Sequence, residues 1–134
     1  MLRFMIVLSC LIVPVAVNAQ ERCLKLSQHL RDCTPHSCQA RQGSEQFMIR
    51  HKVIGKTPNG KCHYQQVTPI KDMPIEATLD CLFDRATREK YAAIMDYYLG
   101  HVSTDDDIVD IEQQFNKILA GNVCEVIVPD TLLP

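Results

Sequence analysis

Phe47-Met-Ile-Arg-His-Lys-Val-Ile54, Gly55-Lys-Thr-Pro-Asn-Gly60 and Lys61-Cys-His-Tyr-Gln-Gln-Val-Thr68 follow one another, and the reading of this stretch decides the fold. The first run alternates. Phe47, Ile49, His51 and Val53 fall on one face and Arg50 and Lys52 on the other, the period of two that marks a half-buried strand. The turn-rich connector predicts a hairpin with Lys61 to Thr68 as the return strand. A six-residue loop sets Val53 opposite Cys62, His51 opposite Tyr64 and Phe47 opposite Thr68. Cys62 and Tyr64 then share the face of Phe47 and Ile49, and a slip of one residue would turn them outward.

Downstream, Ile75, Ala77, Leu79, Cys81 and Phe83 alternate with Glu76, Thr78 and Asp80, which predicts a third strand and places Cys62 and Cys81 on neighbouring strands. Asp84 is a helix cap. The helix runs to about Leu99, with Tyr91, Ile94 or Met95, and Tyr98 on its inner stripe and Gly100 as its stop. Ser103 or Thr104, followed by Asp105-Asp106-Asp107, starts another helix, acidic residues suiting the positive end of its dipole. Ile108, Ile111, Phe115 and Ile118 repeat a helical stripe up to Gly121. The apolar segment Val123 to Val128 predicts an edge strand pinned by Cys124 and ended by Pro129.

Upstream, residues 21–33 place Cys23, Leu26, Leu30 and Cys33 on one helical stripe that Thr34-Pro35 ends. Gln39 to Gln46 is polar, contains Gly43 and reads as a loop. Helix, three strands, two helices and a strand are segregated rather than alternating, which favours an α+β fold over a parallel βαβ sheet. The expectation is a small antiparallel sheet of three to four strands with N-terminal and C-terminal helices packed on it, stabilised by disulfides. At the level of fold this resembles the cystatin-like helix-on-sheet plan, although that family's Gln-x-Val-x-Gly loop is absent.

Residues 1–19 read as a secretory signal: Arg3, an apolar run from Phe4 to Val17, and the small-residue cleavage pattern Val17-Asn18-Ala19. The run is short for a membrane span and Pro14 interrupts it. Residues 20–134 form one domain, with no interdomain linker, no internal repeat and no further run long enough to span a bilayer. Of seven cysteines, Cys10 falls in the leader, leaving Cys23, Cys33, Cys38, Cys62, Cys81 and Cys124. An even count in an exported chain implies disulfides, in any of fifteen pairings. Helix rise sets Cys23 and Cys33 about 15 Å apart, too far to bond to each other.

Metal and redox chemistry fit this pattern poorly. Cys33-Thr-Pro-His-Ser-Cys38 and Cys62-His63 set histidines beside thiols, yet Cys-x-x-Cys and a spaced His pair are both missing. Asp105-Asp106-Asp107 lacks the ligand spacing of a calcium loop. Gly55 and Gly60 read as turn residues rather than a phosphate cradle, and no cofactor is implied. His51 opposite Tyr64 is the most enzyme-like pair, but no third group orients it and no Gly-x-Ser-x-Gly occurs, so no catalytic residue is assigned. A histidine bonded to a phenol on a half-buried sheet face accounts for it.

Charge divides the chain: residues 20–72 carry nine Lys/Arg and four Asp/Glu, whereas 73–134 carry four and twelve. The two halves either neutralise each other on folding or offer complementary surfaces to partners. The basic residues are not interleaved with aromatics, which speaks against nucleic acid.

Ser37-Cys38, Phe47 through Gly55, Gly60-Lys-Cys-His-Tyr64, and Cys81-x-Phe83 up to Tyr91 resemble small cysteine-containing bacterial periplasmic proteins, which share a strand, a Gly-Lys-Cys-His-Tyr-like return and a further Cys before a helix. The resemblance covers about half the chain; Cys23 and Cys124 lie outside it. It implies an accessory component of a cell-envelope machine such as a type IV secretion complex. The expected function is an exported, non-enzymatic binding or assembly protein with a protein partner in the envelope. The alternative is a secreted effector or enzyme inhibitor acting outside the producing cell, and an enzyme using His51 and Tyr64 ranks third.

Overall fold

A computed structural model describes the backbone of residues 23–41, 48–100 and 105–129, and the side chains of these except 100 and 105–109. Residues 1–19, read above as a secretory signal, and Phe47, Ser103 and Thr104 lie outside the described residues, as do the side chains of the acidic helix start and of Ile108. The chain is α+β, running α1 (Leu26–Asp32), β1 (His36–Arg41), β2 (Met48–Lys56), β3 (Cys62–Pro69), β4 (Glu76–Phe83), α2 (Arg85–Gly100), α3 (Asp105–Ala120) and β5 (Cys124–Ile127). The strands form one antiparallel sheet in the order β1-β2-β3-β4-β5.

Five strands replace the expected three to four. The additional one is β1, half of which falls in the segment read as a loop from Gln39 to Gln46. It has no β-branched residue to announce it. Its inward residues Cys38 and Ala40 are buried, its ladder to β2 supplies the backbone bonds, and the Cys23–Cys38 bridge ties it to the chain entering α1. That helix is shorter than the stripe over residues 21–33 suggests. It stops where Cys33 takes a left-handed conformation (φ 51°), its N–H donating to Leu30 O and that of Thr34 to His29 O before Pro35.

The β2–β3 hairpin forms with a register two residues from the one expected. Val53 pairs with Tyr64 and His51 with Gln66. The cause is Gly55. At φ 129° it continues β2 as a bulge, Lys56 then pairs with Cys62, and the turn contracts to Pro58-Asn59-Gly60 between Thr57 and Lys61, whose backbone closes at 2.8 Å. A shift of two preserves the face. Cys62 and Tyr64 therefore still point inward and are fully buried, as are Cys81 and Phe83 on β4.

Asp84 caps α2 by accepting the Thr87 N–H at 2.7 Å. Tyr91, Ile94 and Met95 are buried on its inner face, whereas Tyr98 is 39% exposed and sits at the rim, and Gly100 is the last helical residue rather than the stop beyond it. Ile118 on α3 is buried, with Ile111 and Phe115 packed against the core from its flank. The core is aromatic: Tyr64, Phe83 and Tyr91 stack with centroids 4.9–5.9 Å apart, and Phe115 lies 6.1 Å from Tyr91. Bridges Cys23–Cys38, Cys33–Cys62 and Cys81–Cys124 use all six cysteines. As helix rise requires, Cys23 and Cys33 each bond elsewhere. Among the described residues no helix is long and apolar enough to cross a membrane.

Part of the charge division is met by part-exposed contacts between the two halves, Arg31 and Arg50 being the described basic-half cations that take part. Arg31 on α1 pairs with Glu89 and Asp96 on α2, Arg50 on β2 with Glu76 on β4, and His63 on β3 meets Asp80 on β4 at 2.7 Å. Every one of these contacts joins the basic half of the chain to the acidic half.

Candidate functional site

The hairpin aims His51 of β2 and Tyr64 and Gln66 of β3 into the face covered by helices, and α2 lowers Tyr91 onto them. His51 Nδ1 lies 2.6 Å from the Tyr64 hydroxyl. Gln66 Oε1 lies 3.2 Å from the Tyr64 hydroxyl and 3.1 Å from that of Tyr91, and the two hydroxyls are 3.3 Å apart. The expected His51–Tyr64 contact is therefore made, diagonally rather than directly across the ladder. Gln66 is two residues beyond Tyr64 and shares its face by the same alternation; the sequence reading left it out, although the signal was present.

Four neutral groups satisfy one another here. Burial pushes the His51 pKa down to about 4, so the imidazole is uncharged at neutral pH. Burial raises the Tyr64 hydroxyl well above its ordinary value, and the neighbouring Tyr91 adds to the rise. Tyr91 is raised as well, by burial, against a smaller opposing effect of its hydrogen bond with Tyr64. The Tyr64 proton has two acceptors, His51 Nδ1 and Gln66 Oε1. If it goes to the imidazole, His51 carries its own proton on Nε2; if it goes to Gln66, Nδ1–H donates to the phenol oxygen. Both arrangements leave the cluster without net charge and, because no carboxylate belongs to it, without a group that would stabilise an imidazolium.

A cavity of about 90 Å³ lies over this cluster, at the end of the sheet where β1 stops and β2 begins. Its walls are Ala40, Ile49, Met95, Leu99 and Phe115, and its polar lining is Arg41, His51, Gln66 and Tyr98. Burial raises the Tyr98 pKa, with a further rise from the Glu112 carboxylate on α3. These residues come from β1, β2, β3, α2 and α3, so neither the cavity nor the place of Arg41 in it follows from any single stretch of sequence.

The remaining candidates lie elsewhere. All six cysteines are consumed in bridges, and among the described residues no group of three or more His, Cys, Asp or Glu is placed to hold a metal ion. His36, beside Cys38, stacks on His29 at a centroid distance of 4.1 Å with rings 3° from parallel, and His29 Nδ1 contacts Thr34 Oγ1 at 2.7 Å. His63, beside Cys62, is on the opposite face of the sheet, where its Asp80 partner also accepts from Gln65 at 2.8 Å. Comparisons of the chain with protein-family models, with curated proteins and with solved structures find no match.

Proposed function

We propose that this chain is an exported, non-enzymatic binding or assembly protein of the bacterial cell envelope and, following the resemblance of its hairpin segment, an accessory subunit of a secretion complex. The observation that carries this reading is the pairing of all six cysteines beyond the leader into three bridges. Such a framework persists in oxidising compartments and is rare in reducing ones. The His51 cluster fits the non-enzymatic part of the reading: its hydroxyls, Gln66 Oε1 and His51 Nδ1 hydrogen-bond to one another, and no carboxylate belongs to it to orient the imidazole for proton transfer. At the sheet edge, Val126 and Ile127 of β5 are 64% and 48% exposed, apolar surface of the kind a partner covers.

The test is gentle crosslinking in envelope extracts of a producing bacterium, followed by purification and mass spectrometry. The reading expects a product trimmed near Gln20, found outside the cytoplasm and crosslinked to one or a few envelope proteins. Recovery as an untrimmed cytoplasmic chain, or only as a free monomer, contradicts it.

A further inference from the structure

We infer that the cavity over the His51 cluster is a binding site for a small aliphatic monocarboxylate. This deepens the proposed binding function and rests on it.

The apolar walls set the body of the ligand. An apolar cavity of about 150 Å³ accepts benzene, so at the same volume per carbon 90 Å³ holds about four carbons of a chain, the remaining carbon and head group of a six-carbon ligand lying at the mouth. Ala40 and Ile49 lie along one wall and Met95, Leu99 and Phe115 along the other, all without polar side-chain atoms capable of strong hydrogen bonds.

Charge then sets the head group and its orientation. His51 and Gln66 commit Nδ1 and Oε1 to the neutral cluster, and neither brings a positive charge at neutral pH to offset that of a buried anion. Arg41, the last residue of β1, supplies the only formal charge among the described lining residues. It is exposed and forms no ion pair among the described residues. Its guanidinium offers a two-pronged donor set matched to a carboxylate, at the solvent edge where the anion stays partly hydrated. The other described lining residues carry no cationic group, so a second carboxylate would meet no counter-charge. A ligand with one carboxylate therefore enters tail first with its head at Arg41. A cationic head group meets repulsion at the same place.

The test titrates sodium hexanoate, with hexan-1-ol and hexylammonium as controls, into the purified oxidised protein while following its NMR spectrum. Hexanoate is expected to produce saturable shifts at Ile49, Met95, Leu99 and Phe115 and to bind about tenfold more tightly than hexan-1-ol, the gain of one charge-assisted contact. Arg41→Gln should abolish that difference while leaving hexan-1-ol binding unchanged, and Arg41→Lys should restore part of it. Arg41 is exposed at a strand end, so both variants are expected to keep the wild-type spectrum elsewhere. Failure of hexanoate to saturate below about 10 mM, equal binding by hexylammonium, shifts outside the cavity, or no effect of Arg41→Gln overturns the site. If hexanoate fails while envelope partners are still captured, the site is wrong and the wider reading stands; if the crosslinking test also fails, both fall.

Discussion

His51 Nδ1 and the Tyr64 hydroxyl meet at 2.6 Å on the covered face of the sheet, where the imidazole is 6% exposed and the phenol fully buried. An uncharged histidine held this way makes the fold sensitive to acid. Between pH 6.5 and about pH 4 the unfolded chain binds a proton at position 51 that the folded chain does not. Unfolding free energy therefore rises with pH through that window and is lost as pH falls through it, by about 3 kcal/mol in all. The slightly buried His29, lowered by desolvation and then by His36, acts in the same direction. Urea denaturation at pH 7 and pH 4 measures the difference, and His51→Gln should remove most of it. An unchanged slope in that variant would refute the assignment.

The two phenols should not be equivalent. Tyr64→Phe leaves His51 Nδ1 without its partner in a buried site and is expected to cost about 1–3 kcal/mol. Tyr91→Phe leaves Gln66 Oε1 a donor in Tyr64 and should cost only about 0.5–1.5 kcal/mol. Chemical denaturation of both variants and of the double variant gives the coupling between them, and equal costs would contradict the network as described.

Arg31 is the side chain that ties α1 to α2 by charge, 3.3 Å from Glu89 and 3.0 Å from Asp96. Both contacts are part-exposed, so Arg31→Ala is expected to cost only about 0.5–1 kcal/mol, and the loss should shrink as salt is raised. A cost that salt leaves unchanged would assign the effect to packing of the arginine stem instead.

Alternation along β2, β3 and β4 made the inward face legible in the sequence, and with it the burial of Cys62, Tyr64, Cys81 and Phe83. The same was true of the Asp84 cap and of most of the described helical stripe residues, Tyr98 at the rim being the exception. The register was not legible, because a glycine in a turn-rich segment can sit in the turn or extend the strand as a bulge, and Gly55 does the latter. Strand β1 was hidden for a related reason: what makes His36–Arg41 a strand is its ladder to β2 and the Cys38 bridge, both long-range. The bridge pattern depends on which elements meet in space. Only the exclusion of a Cys23–Cys33 bond could be argued from local geometry. The cavity drew on five elements and was beyond any local pattern.

The three bridges close loops of unequal span, with sequence separations of 15, 29 and 43. Loop-closure entropy ranks Cys81–Cys124 as the most stabilising and Cys23–Cys38 as the least, at about 4 and about 3 kcal/mol. Paired Cys→Ser replacement of each bridge, followed by thermal denaturation, tests the ranking. Reduction of all three should lower Tm by far more than Arg31→Ala does, because the bridges together rival the whole stability of a domain this size.

Peptide mapping of the alkylated, unreduced protein, purified from the compartment in which it accumulates, tests the framework most directly. Three linked peptide pairs are expected, joining Cys23 to Cys38, Cys33 to Cys62 and Cys81 to Cys124, with none of these six residues alkylated. Free, alkylated thiols at any of these positions, or a different set of partners, would contradict it.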